Sequence, residues 1–177
     1  SSAASDVYKR QVQLFGMPEA VFADIATLRI GGKVDDYFII HLMKPARMPE
    51  VKITLKASYL MCENEPRFVL HGTEGSYVKY GLDPQEADLT KGMLPDAPHW
   101  GEEDESQWGI LHTEKDGNVV RKPYPTLPGN YAAFYESIYQ HIRNGEVLQS
   151  DACGVLGVIR LIEAAWESSR TGNVRKL

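Results

Sequence analysis

Between residues 51 and 61 apolar and polar side chains alternate without a break. Val51, Ile53, Leu55, Ala57, Tyr59 and Met61 stand against Lys52, Thr54, Lys56 and Ser58. A period of two sends the two sets to opposite faces of a strand, and one wet face is the mark of an antiparallel sheet. Shorter segments predict further strands. Residues 21–29 and 37–44 flank the turn-prone Gly31-Gly32, and residues 67–71 and 76–80 read as a hairpin around Gly72-Thr73-Glu74-Gly75. Residues 108–114 and 119–122 form another, turning at Asp116-Gly117.

The period then lengthens to that of a helix. Tyr131, Phe134, Tyr135, Ile138 and Ile142 share one helical face that stops at Asn144-Gly145. Val155, Val158, Ile159, Ile162, Ala165 and Trp166 share a second, predicted to begin near Ser150 or Asp151 and to end at Gly172. Asp83-Pro84-Gln85-Glu86 carries a capping Asp, Pro at the first helical position and Glu at N3, with Gly92 as a stop. Near the start, Leu14 and Phe15 followed by Gly16 and Pro18 read as the last turn of a helix whose earlier turns are missing. Residues 1–11, Ser-Ser-Ala-Ala-Ser-Asp-Val-Tyr-Lys-Arg-Gln, show no apolar period and match the in-frame translation of a transposon-type sequencing adaptor. They are expected to be a scar rather than native sequence and are set aside from the fold, leaving residues 12–177 as one domain. Strands first and two long helices last make the chain α+β, a mostly antiparallel open sheet with helices packed on one face.

Composition adds mainly exclusions. With 43% hydrophobic and 24% charged residues the chain reads as an ordinary globular protein, and its net charge of −5 argues against a nucleic-acid footprint. No apolar run approaches the length of a membrane span. Cys62 and Cys153 lie far apart without metal-ligand spacing, so they are expected to be small buried hydrophobes in a protein of the reducing cytosol, with no metal site. No G-x-G-x-x-G follows a strand. Gly72-x-x-Gly75 falls in a hairpin and Gly154-x-x-Gly157 inside a helix, where neither aims amides at a pyrophosphate. No nucleophile elbow or local Cys/His pair is present. His41, His71 and His112 fall in strands and His141 late in a helix, all explained by ordinary hydrogen bonding. His99 differs, because it sits in a loop as Pro98-His99-Trp100-Gly101. The acidic run Glu102-Glu103-Asp104-Glu105 reads as a solvated surface, and Asp83 and Glu86 as helix-start residues rather than a catalytic pair.

Several motifs occur together in one order: Leu14-Phe15-Gly16-x-Pro18, Gly72-Thr73-x-Gly75-Ser76, Gly81-Leu82-Asp83-x-Gln85-Glu86, Trp100-Gly101 and Gly129-Asn130-Tyr131-x-x-Phe134-Tyr135. Ile159-x-x-Ile162-Glu163-Ala164-Ala165-x-x-Ser168-Ser169-x-x-Gly172 closes the series. From Val12 to Leu177 the chain resembles the C-terminal domain of the Gfo/Idh/MocA oxidoreductases. The resemblance implies a glyceraldehyde-3-phosphate-dehydrogenase-like fold that supplies a substrate wall and a sheet for dimer or tetramer formation. It also implies an N-terminal Rossmann domain in cis that holds NAD or NADP. In that family a Lys of a Glu-Lys-Pro motif, an Asp and a His manage the alcohol proton during hydride transfer to or from a sugar or polyol. The positions of all three fall upstream of Val12, so no catalytic or cofactor-binding residue carries over and the chain alone is expected to bind no dinucleotide and turn nothing over. His99, Trp100 and Tyr131 are the candidate substrate-binding residues, an aromatic face for a sugar ring with polar tips for its hydroxyls. Two rival readings stay open: a stand-alone dimerisation or small-ligand module without catalysis, and a pseudoenzyme parent.

Overall fold

The computed structural model describes residues 2–148 and 152–177. In chain order the elements are α1 (Ser2–Phe15), β1 (Pro18–Ala26), β2 (Tyr37–Pro45), β3 (Ile53–Ser58), β4 (Phe68–Gly72), β5 (Gly75–Lys79) and α2 (Gln85–Thr90). They continue with β6 (Gly109–Lys115), β7 (Asn118–Tyr124), α3 (Ala132–Asn144), α4 (Ala152–Thr171) and β8 (Arg175–Lys176), with a 3-10 turn at Glu105–Gln107. The chain is α+β, and every strand pair is antiparallel. The strands form two four-stranded sheets rather than one, separated by the polar, Pro66-containing segment 59–67. Each sheet belongs to its own compact unit, Ser1–Cys62 with Ser150–Leu177 and Glu63–Gln149. Among the described residues no helix is long and apolar enough to cross a membrane.

In the first unit the order is β3-β2-β1-β8. Val21, Leu42 and Ile53 stand opposite one another across three strands, and Ala23, Ile40 and Leu55 form the next row. All six are buried. Val158, Leu161 and Ala165, one stripe of α4, complete this core together with Tyr8 of α1. The predicted alternation is therefore real but shorter than 51–61. It ends at Ser58, after which the amide of Tyr59 donates to Asp36 O at 2.9 Å and Tyr59 and Met61 are exposed. Cys62 is exposed as well, against the expectation of burial, because it follows the strand instead of lying in it; the side chain of Cys153 lies outside the described residues.

Helix α1 corrects a second expectation. It is not a single turn from Val12 but continues back to Ser2, and Tyr8 is only 2% exposed. Tyr8, Val12 and Phe15 recur at i, i+4 and i+7, so the tyrosine extends the face on which Val12 and Phe15 pack. Burial pushes its phenol above the ordinary tyrosine pKa. The helix ends as foreseen at Gly16, whose φ of +82° suits the left-handed cap and whose amide donates to Val12 O at 2.8 Å.

The paired serines of the closing motif have a clear task. Strand β8 pairs only with Ala20 and Val21 of β1. Beyond it the amide of Ala23 donates to Ser168 Oγ at 3.0 Å and the amide of Ile25 to Ser169 Oγ at 2.9 Å. Ser168 in turn donates to Asn173 O at 2.7 Å. Hydroxyls thus satisfy edge amides that no strand reaches.

Asp36 closes the loop between β1 and β2. Its buried carboxylate accepts the amides of Leu28 at 2.7 Å and Arg29 at 3.1 Å and the Arg29 Nε–H at 2.8 Å. The Leu28 amide first, and then the Arg29 side chain, hold this carboxyl below the usual carboxylate range. A lowered folded-state pKa stabilises the fold above the unfolded value of about 4 and loses that contribution as pH falls through the lower folded value. Urea unfolding of the wild type is expected to weaken as pH drops below about 4. Asp36→Asn should be less stable at neutral pH and show a flatter acid limb; superimposable pH profiles for the two proteins would refute this.

The second unit is a meander in the order β4-β5-β6-β7. The Gly72–Gly75 segment is the tight hairpin expected, and a Cβ at Gly75 would lie 2.5 Å from His112 O. The β6–β7 turn has positive φ at both Asp116 and Gly117, as a type I′ turn demands. Helix α3 ends at left-handed Gly145, but none of its side chains is buried, and Phe134, Tyr135 and Ile142 are exposed. Among the described residues of this unit only Gln85, Gly101 and Gly109 are buried. Its tightest point is polar, and it holds the candidate site.

Candidate functional site

Three of the sequence motifs converge on the side chain of Gln85, the second residue after Asp83 in the turn that opens α2. The Gln85 amide and its side-chain NH2 group both donate to the Asp83 carboxylate, with the amide 3.0 Å from Oδ1 and Nε2 3.1 and 3.0 Å from Oδ1 and Oδ2. At the other end Gln85 Oε1 accepts the Trp100 indole N–H at 2.9 Å and the Tyr131 backbone N–H at 2.7 Å. Two glycines make the approach possible. A Cβ at Gly129 would lie 2.1 Å from Gln85 Nε2, and one at Gly101 would lie 2.2 Å from Gly129 O. Gly101 also has a φ of +72°, and its carbonyl accepts the Gly129 amide at 2.9 Å. The structure shifts the expected helix start by one residue: Pro84, expected at the first helical position, is the N-cap and makes no side-chain cap bond, while Asp83 before it accepts the Gln85 amide.

The loop that carries Trp100 is pinned from outside. Lys79 Nζ donates to Glu103 Oε2 at 2.6 Å and to Gln107 O at 2.9 Å, and the Glu103 side chain is 6% exposed. The acidic run is therefore not one solvated surface. Glu103 is a half-buried ion-pair partner, and Asp104 caps the 3-10 turn by accepting the Ser106 amide at 2.9 Å. The Ser106 hydroxyl and then its amide hold the Asp104 carboxyl below the usual range. Glu102 faces His99, whose Nδ1 lies 2.8 Å from Oε2.

Of the three predicted site residues the structure brings two onto one oxygen. Trp100 and Tyr131 both donate to Gln85, and Tyr131 keeps 41% of its surface exposed. His99 lies beside them in the chain, but its ring is exposed and engaged by Glu102. Its φ of +61° is a costly conformation for a non-glycine residue. The residue that sequence reasoning missed is Gln85. Its neighbours explain a helix start so completely that the carboxamide carries no further local signal; the clue was the glycine in each of the other two motifs.

Two of the strand histidines behave as expected, with His41 Nδ1 3.0 Å from Thr54 Oγ1 and His71 Nδ1 2.8 Å from Ser76 Oγ. Among the described residues no group of three or more His, Cys, Asp or Glu side chains is placed to hold a metal ion. These residues do not fit a dinucleotide either. Gly72 and Gly75 sit in a hairpin, and Gly157, inside α4, is a packing position whose Cβ would lie 3.3 Å from Met17 Sδ.

The model of the oxidoreductase family's C-terminal alpha/beta domain matches residues 10–177. The chain belongs to the Gfo/Idh/MocA oxidoreductase family. A Gfo/Idh/MocA relative, scyllo-inositol 2-dehydrogenase (NADP+) of Bacillus subtilis, is 33% identical over 166 residues, which are 94% of this chain and 45% of that protein. A crystal structure of an oxidoreductase from Bacteroides fragilis is 57% identical, with a TM-score of 0.93 over 99% of this chain and 52% of that one. The oxidoreductase YvaA of Bacillus subtilis is 32% identical with a TM-score of 0.91, covering 98% of this chain and 49% of its own. The chain spans about half the length of the relatives it matches.

Proposed function

We propose that this domain is the substrate-facing half of an NAD(P)-dependent dehydrogenase acting on a sugar, polyol or related hydroxyl compound, and that it is inactive by itself. Family membership supports the oxidoreductase class, and the scyllo-inositol dehydrogenase relative supports a cyclic polyol as substrate. The observation that carries the reading is the shared anchoring of Trp100 and Tyr131. The Trp100 indole and the Tyr131 backbone are fixed to one buried oxygen, and a firm aromatic surface suits the apolar face of a sugar ring while neighbouring polar groups meet its hydroxyls. In this proposal the wall orients the ring, excludes water and leaves the alcohol carbon facing the half that carries the nicotinamide. When bound, that cofactor supplies the hydride chemistry. The wall, in this proposal, only orients and shields the ring, and the proton is managed elsewhere.

The test is direct. Mixed with scyllo-inositol and NADP+ or NAD+, the 177-residue chain is expected to form no reduced nicotinamide. Turnover would overturn the proposed division of labour. We also propose a homodimer or tetramer formed through the sheet of the second unit, supported by exposed apolar residues on its strands, Leu70 and Val120 on one face and Val69 and Val119 on the other. Light scattering should report the multimer, and a strict monomer at high concentration would count against it.

A further inference from the structure

Gln85 is fully buried, and both ends of its carboxamide are hydrogen-bonded. Its two ends cannot be exchanged. The Asp83 carboxylate only accepts, so it must face the NH2 group; the indole N–H and the Tyr131 amide only donate, so they must face the oxygen. Asp83 therefore sets the rotamer of Gln85, and Gln85 sets two groups that lie 15 and 46 residues further along the chain. The opening of α2 does not require this. That six-residue helix needs an acceptor for the Gln85 amide, which Asp83 supplies without help from the Gln85 side chain. Nor is the cluster a binding pocket, because its atoms are spent on one another and Gly101 and Gly129 close the remaining space.

We propose that Gln85 is a positioning residue for polyol recognition. Its carboxamide oxygen holds the Trp100 indole and the first turn of α3 at Tyr131 in one fixed relation, so the wall is in place before the ring arrives. Preorganisation of this kind raises affinity by removing the ordering that binding would otherwise require. The proposal rests on the reading of Trp100 and Tyr131 as the polyol-facing surface, and the experiment separates the two.

The 177-residue chain, labelled with 15N, would be titrated with scyllo-inositol while the indole and backbone N–H resonances are followed. The Trp100 indole signal is assigned by its loss in Trp100→Phe. In the wild type this signal should be shifted from that of a solvent-exposed indole, and the Tyr131 amide should move saturably with scyllo-inositol. In Gln85→Leu the indole signal is expected to move to the exposed position, the Tyr131 amide to lose protection, and affinity to fall about tenfold, the scale of one lost hydrogen-bond anchor. Resonances of Val21 and Leu161 in the first unit should stay put. If Trp100→Ala and Tyr131→Ala bind scyllo-inositol as the wild type does, the polyol-facing reading fails and the proposal with it. If those two weaken binding while Gln85→Leu keeps both the indole signal and the affinity, the positioning role alone is overturned. Should Gln85→Leu unfold, Asp83→Asn gives the decision. It keeps size and capping but frees the carboxamide to turn over, so a second indole signal and weaker binding are expected, and an unchanged spectrum with unchanged affinity refutes the role.

Discussion

Gly129→Ala is expected to destabilise the second unit by about 3 kcal/mol, the upper end of the cost of forcing a methyl group into a filled site. The methyl carbon would lie 2.1 Å from Gln85 Nε2 and 2.7 and 2.9 Å from the Asp83 carboxylate oxygens. None of these atoms can retreat cheaply. Moving Gln85 breaks its bonds to Trp100 and Tyr131, and moving Asp83 leaves the Gln85 amide without its acceptor. The change should appear as a lower urea midpoint followed through tryptophan fluorescence, together with faster hydrogen exchange at the Tyr131 amide. Alanine at Gly92 is the control for the opposite case: its φ is +85°, a conformation Gly129 does not share, but a Cβ there meets nothing within 4 Å. A loss at Gly129 no greater than the strain cost at Gly92 would count against crowding around Gln85.

The second large effect lies in the other unit. Leu161→Ala is expected to cost about 3–4 kcal/mol, since a fully buried leucine in a close-packed core leaves a cavity when truncated. Leu161 sits on the same stripe of α4 as Val158 and Ala165, over the rows built on Val21, Ala23 and Ile40. Trp166→Ala, on the exposed side of the same helix, should cost far less despite removing a larger side chain. Urea unfolding of both variants checks the ranking. The ranking would be wrong, and with it the assignment of the core face, if Trp166→Ala proved the more damaging.

The elements that could be read from sequence were those with a strong local period. The β2 and β3 strands, α3 and α4 each repeat apolar residues often enough to fix their type, and glycines at 16, 92, 145 and 172 mark the ends of the four helices through positive φ. Where the signal thins, so did the reading. Tyr8 is the lone aromatic in its stretch, so the early turns of α1 passed as structureless, although the tyrosine lies one helical repeat from Val12. Strand β8 is two residues, Arg175 and Lys176, whose pairing with Ala20 and Val21 no alternation announces. The Glu102–Glu105 run misled because composition cannot show that Lys79, more than twenty residues away in sequence, reaches Glu103. Trp100 and Tyr131 were legible as candidates from residue type and motif context. Their common anchor was not, because hydrogen bonds that span 15 and 46 residues leave no periodic trace.

The serine ties between α4 and β1 also bear on how the chain folds. They join positions 144 and 145 apart, and the second unit is an insertion between the segments they connect. Contacts of such long range carry a large loop-closure entropy and slow the search for the native state. During synthesis the meander from β4 to β7 leaves the ribosome whole, with only neighbouring hairpins to pair. The first sheet must wait, its apolar rows uncovered, until α4 emerges. That interval is when this chain has most need of a chaperone, and it is set by the order of the segments along the chain rather than by any weakness in the core they finally make.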